Sequence, residues 1–205
     1  MIIKKIFVII FLNFFLTTLS QSNEIDDFQI SGVSVNNSLL NFINKDKIIA
    51  RQNLYKDKGY IYRLKDFYTL TFYNINKFPN SNPGIFFEGL DKYDDIQFHL
   101  KHGDDTFKIY AVDGGKHFNS MKKCYDQMKE IESELRSLFK DSKPIKSDKR
   151  HSSNKGRSKS SAYWLDKGFI RVSCQDWDED TKIQDSLVVS VVLEELNIFF
   201  DKNYK

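Results

Sequence analysis

Only two cysteines, Cys124 and Cys174, stand in the 205 residues, and they are too far apart to form a Cys-x-x-Cys redox centre or half of a zinc site. The chain also lacks the Gly-x-Ser-x-Gly nucleophile elbow, the His-Glu-x-x-His metalloprotease signature and a phosphate-cradling glycine-rich loop. These absences remove the familiar serine, zinc and nucleotide chemistries and favour a binding or structural role. A large charge excess is missing too. Thirty-one Lys and Arg oppose 28 Asp and Glu, and loss of Lys4 and Lys5 with a leader would bring the balance to about +1. Nucleic-acid binders concentrate far more positive charge than that, so no nucleic-acid partner is expected. No period of roughly 20 to 50 residues recurs, which argues against a solenoid.

A membrane-spanning run is lacking as well. Ile6 to Leu19 is apolar but interrupted by Asn13, and its length of about 14 residues falls short of the roughly 20 that cross a bilayer. Lys4 and Lys5 precede it, and Ser20-Gln21-Ser22 follows with small residues suited to cleavage before Asn23. Residues 1–22 therefore read as a signal peptide. Residues 23–205 read as a single secreted or periplasmic domain, and no cysteine near the cleavage site offers a lipid anchor.

What is present is organised around Asn119 to Phe139. Met121, Cys124, Met128, Ile131, Leu135 and Leu138 recur at helical spacing, with Lys122, Lys123, Asp126, Lys129, Glu130, Glu132 and Glu134 on the other side. This is an amphipathic helix with Asn119 or Ser120 as N-cap. Cys124 lies on its apolar face and Cys174 in the strand-like run Ile170 to Cys174. An even pair in an oxidising compartment is expected to bridge, clamping helix to sheet. The alternative, a reactive thiol, would want a histidine beside it, and His117 shares no clear helical face with Cys124.

Around that helix the chain alternates strands and turns. Asn23 to Gln29 reads as a polar leader, and Asn36-Asn37-Ser38 as the start of a short helix ending near Asn44 or Lys45. Tyr60 to Leu64 and Phe67 to Tyr73 are rich in aromatic and β-branched residues. Pro79 to Gly84 is a loop. Ile96 to Lys101 and Phe107 to Val112 form a hairpin, broken at Asp113-Gly114-Gly115. Residues 140–160 carry eight basic and two acidic residues, with Ile145 the only large aliphatic; this composition predicts a flexible basic loop. Its Lys143, Lys146, Lys149, Arg150, Lys155, Arg157 and Lys159 are candidate contacts to an anionic surface; the alternative is a solvated linker that keeps two hairpins apart. Beyond it come a hairpin over Ala162 to Gln175 and the run Ser186 to Leu193. That run is apolar on nearly both faces and reads as a central strand, with a helical turn after it. The expected class is α+β: an antiparallel sheet with one long helix packed on one face.

Phe28 to Leu40, the Cys124 helix and Arg171 to Trp177 resemble a family of secreted proteins from AT-rich marine bacteria. The family has no assigned activity, so the resemblance implies export and supplies no functional residues. Gly32-x-Ser34-x-x-x-Ser38-Leu39-Leu40 is also similar to small periplasmic envelope-assembly domains.

Metal and cofactor signals are weak. His99 and His102 straddle a strand and its turn. Asp176, Asp178 and Asp180 imitate a calcium loop, but Thr181 and Leu187 stand where glycine and glutamate are required. The acid pairs Asp94-Asp95 and Glu194-Glu195 read as surface carboxylates. No metal or cofactor is expected. The expected function is a non-enzymatic domain binding an envelope component or a protein partner; the alternative is a periplasmic hydrolase in which His99, His117 and Asp113 converge.

Overall fold

The computed structural model describes residues 25–57, 66–74, 76–77, 87, 90–140, 142–151 and 154–203. The expected signal peptide, the strand at Tyr60 to Leu64 and the loop at Pro79 to Gly84 lie outside the described residues. Seven strands form one antiparallel sheet: β1 (Phe67–Tyr73), β2 (Asp95–Lys101), β3 (Ala111–His117), β4 (Ile145–Arg150), β5 (Arg157–Leu165), β6 (Gly168–Asp176) and β7 (Ser186–Leu193). Their spatial order is β1-β2-β3-β7-β6-β5-β4. Two meanders, β1 to β3 and β4 to β7, are joined by a helix and meet where β7 pairs with β3. The doubly apolar run is therefore the central strand, as its composition predicts.

Alternation along the strands sorts the sheet into two faces. Tyr68, Leu70, Phe72, Ile96, Phe98, Leu100, Val112, Ile170, Val172, Leu187 and Val191 are buried on one of them. On this face lies α2 (Met121–Leu138), whose Cys124, Met128 and Leu135 are buried. The Cys124–Cys174 disulfide joins helix to β6 across a Cα separation of 6.0 Å, confirming the expected clamp. Leu138 is exposed, and Phe139 takes its place in the core. The backbone leaves the helix there, and the Phe139 ring packs against Phe28 and Tyr163 at 5.3 and 5.8 Å.

The amino-terminal segment packs on the same core rather than fraying. Ile25, Ile30, Val33, Val35 and Leu39 are buried, and Asn36, Asn37 and Leu39 exchange backbone hydrogen bonds with Phe107 and Ile109. The expected first helix is only a 3-10 turn, Leu39–Asn41, capped by Ser38, whose hydroxyl accepts from the Leu40 N–H at 3.2 Å. The longer helix α1 (Lys45–Asp57) begins where the first was expected to end. Its Arg51 is buried and donates to the Thr71 carbonyl at 2.7 Å, so one side chain of α1 reaches the outer edge of β1. The last helix, α3 (Glu194–Asn203), crosses to the opposite sheet face, where Phe199 packs on Phe67.

Two sequence-based expectations are corrected. Asp113-Gly114-Gly115 does not break a strand; it is the middle of β3, displaced from the expected Phe107 to Val112. Close packing demands the glycines. A Cβ on Gly114 would stand 2.6 Å from the Tyr93 ring, and one on Gly115 would stand 2.7 Å from the Asp95 carboxylate. The second correction is the basic segment 140–160, which forms the β4–β5 hairpin instead of a loop. An edge strand that faces water on both sides needs no apolar alternation, and side chains secure this one. Glu132 of α2 accepts from the Ser161 hydroxyl and pairs with Lys146 at 3.5 Å, while its carbonyl accepts from the Tyr163 hydroxyl at 3.3 Å. At the tip, Gly156 adopts φ +114° against the Asp176 backbone, and His151 stacks on Trp177 at 4.1 Å.

Thiol labelling of the folded, unreduced protein is expected to find no free cysteine. The double variant Cys124→Ala/Cys174→Ala should lose on the order of 4 kcal/mol in denaturant unfolding, as expected for opening a loop of this length.

Candidate functional site

The polar sheet face carries a cross-strand series of side chains: Thr69 on β1, His99 on β2, Asp113 on β3, Ser190 on β7 and Arg171 on β6. Register places Thr69 opposite His99, Asp113 opposite Ser190, and Ser190 opposite Arg171. Thr69 Oγ1 lies 3.2 Å from His99 Nδ1, and His99 Nε2 lies 2.8 Å from Asp113 Oδ2. Burial alone would raise the Asp113 carboxyl. The hydrogen bond and charge of His99, with smaller contributions from Ser190 and Arg171, outweigh it and hold the group below its ordinary value. Phe200 of α3 stands edge-on to the His99 ring at 6.4 Å.

Of the three groups expected to converge, His99 and Asp113 do and His117 does not. His117 lies further along β3 on the same face, about 14 Å from Asp113 at the usual strand rise. Its Nε2 meets Asp95 Oδ2 at 3.1 Å, and its backbone N–H donates to Asp94 Oδ2 at 2.7 Å. Asp94 also holds Lys77. Here Asp94 and Asp95 are both buried, unlike the surface pair read from the sequence. The hydrogen bond to Asp95 raises the His117 imidazole above its ordinary 6.5; burial opposes this, and the charges of Asp95 and Asp94 reinforce it. A cleft of about 470 Å³ opens beside His117, lined by Lys77, Asp94, Phe118, Asn119, Lys123 and Gln184. The cleft does not include the Thr69–His99–Asp113 series.

A second candidate is the β4–β5 hairpin. Lys143, Lys146, Lys149, Arg150, Lys155, Arg157 and Lys159 are all exposed. Lys146, Lys155 and Arg157 pair with Glu132, Asp180 and Asp148, and the Lys159 ammonium sits 5.4 Å from the Tyr125 ring centre. Lys143, Lys149, Arg150 and Lys159 have no carboxylate partner among the described residues. Arg150 reaches only the Asn154 carbonyl, at 3.5 Å.

Among the described residues, no group of three or more His, Cys, Asp or Glu is arranged to hold a metal ion. No helix among them is long and apolar enough to cross a membrane. No local pattern marks Glu132 as the hairpin's anchor, since it sits among charged neighbours on the helix. The His99–Asp113 pair was within reach, because carrying the β3 alternation through the glycines puts both groups on the polar face. Comparison with protein-family models, with curated proteins and with solved structures finds no match.

The raised His117 value carries a sign that can be measured. Its contribution to stability is fully present below pH 6.5 and is lost as the pH climbs through the raised folded-state value. The stability difference between wild type and His117→Gln, read from urea midpoints, should shrink as pH rises above 6.5. A difference that grows with pH would contradict the assignment.

Proposed function

We propose that this is a secreted or periplasmic binding domain that holds an anionic partner in the envelope through the β4–β5 hairpin. The observation that supports it is a cluster of seven exposed cations on and beside a folded hairpin, four of them without a carboxylate partner among the described residues. Each cation close to a charged surface contributes up to about 1 kcal/mol, so four to seven of them give up to roughly 4 to 7 kcal/mol at low salt. A folded hairpin also spares the ordering entropy that a loose basic segment would lose on binding. The anchors at Glu132, Gly156 and Trp177 fix its orientation relative to the core.

One observation favours a second reading, a hydrolase: Thr69, His99 and Asp113 follow the order hydroxyl, imidazole, carboxylate. Against it, the cleft lies elsewhere, and Phe200 covers one side of the imidazole. In a structural role the same series ties β1, β2 and β3 together across their polar face.

The mature protein should bind vesicles containing anionic phospholipid, or a polyglutamate resin, at low salt and be released at about 1 M salt, where screening is nearly complete. Replacing Lys143, Lys149 and Arg150 together by Gln should abolish most of this binding. Replacing Lys122, Lys123 and Lys129 on α2 should have little effect. Absence of binding at low salt, or equal losses in the two variants, would sink the binding reading. The hydrolase reading instead expects turnover of an activated ester that disappears in His99→Gln.

A further inference from the structure

The two edges of the sheet are treated differently. Arg51 of α1 engages one outward carbonyl of β1, that of Thr71. At the other end of the strand order, β4 pairs with β5 on one side, and among the described residues nothing pairs with its outer side. Five of its six residues are exposed. An edge of this kind is a template for another strand.

The backbone register shows which groups the edge presents. The His151 N–H donates to the Gly156 carbonyl at 3.1 Å, which makes 151 and 156 a hydrogen-bonded pair. Alternation then turns the N–H and C=O of Lys149, Ser147 and Ile145 toward β5, and those of Arg150, Asp148 and Lys146 outward. The side chains set the chemistry of an incoming strand. Lys149 and Arg150 stand at one end without carboxylate partners, and Ile145, 60% exposed, stands at the other. Lys146 and Asp148 are already engaged by Glu132 and Arg157.

Lysine on an edge strand is also a common guard against aggregation, and here the guard is selective. A second copy pairing through β4 would set basic side chains against basic side chains, and a neutral strand would find no partner for Lys149 or Arg150. An acidic strand meets both favourably. Building on the reading of the hairpin as a binding surface, we propose that the outer edge of β4 accepts an extended acidic segment of a protein partner as an eighth strand. Acids in that segment face Lys149 and Arg150, and an apolar residue faces Ile145.

Position 148 separates backbone pairing from charge. Its N–H points away from β5, so Asp148→Pro removes an outward donor while leaving the β4–β5 ladder intact. Asp148→Ala makes the same change in charge and keeps the donor. The probe is a synthetic peptide of about eight residues, a typical strand length, with two adjacent Glu to meet Lys149 and Arg150 and Val at the remaining positions, including the one opposite Ile145. With the mature, disulfide-bonded protein, Asp148→Ala should bind it at least as tightly as wild type. Asp148→Pro should bind about tenfold more weakly or worse, the scale of one lost backbone hydrogen bond. On peptide binding to wild type, the amides of Lys146, Asp148 and Arg150 should gain protection from hydrogen exchange, a readout that does not depend on the proline variant folding. Equal affinity of the two variants together with unchanged exchange at the three amides would overturn strand addition and leave the charge-based reading standing. Binding to anionic vesicles but not to the peptide would do the same.

Discussion

The pairing of β7 with β3 on one side and β6 on the other is the interaction on which the rest of the molecule depends. Each meander alone would leave one strand edge and one apolar face incomplete. Inserting β7 joins seven residue pairs on the β3 side and eight on the β6 side, and it makes a single core face of two halves. Burial of Leu187, Val189 and Val191 supplies the drive. Because β3 and β7 are far apart in the chain, the sheet closes only through long-range contacts. Such topologies reach the native state more slowly than locally connected ones. The disulfide works on the same problem from the helix side, tying α2 to the strand next to β7.

The opposite face of the sheet is built on a different rule. Instead of apolar side chains it carries Thr69, His99, Asp113, Ser190 and Arg171, arranged so that opposite charges and hydrogen-bonding groups neighbour one another. A carboxylate as enclosed as Asp113 needs such neighbours, since burial by itself favours the neutral acid. His99 engages both Thr69 and Asp113, one at each ring nitrogen. This resembles a cross-braced beam more than a reaction centre, and α3 covers one end of it with Phe199 and Phe200.

How much of this was legible in the sequence follows from where each residue sits. The central strand and the long helix were readable because burial on two faces, or on one stripe, leaves a periodic trace. The disulfide was readable from the even cysteine number and the expected compartment. The β4 strand was hidden for the opposite reason: a strand exposed on both sides has no apolar alternation, and its lysines imitate a loop. Gly114 and Gly115 misled in another way. Their role is to admit the Tyr93 ring and the Asp95 carboxylate, yet in sequence they look like a turn. Of the candidate site, the basic residues were visible one by one. Their common scaffold, and its attachment to Glu132, depended on tertiary contacts that no local pattern records.

The unequal edges have a bearing on stoichiometry. A sheet open at both edges can add copies at either side and grow into a filament, whereas growth stops where one edge is occupied. Here Arg51 of α1 takes the outward Thr71 carbonyl of β1, whereas among the described residues nothing pairs with the outer side of β4. Under the proposed strand addition, assembly at β4 is a capping event in which one chain takes up one strand. Such one-sided addition would let the edge take a partner strand without the head-to-tail growth that seeds fibres.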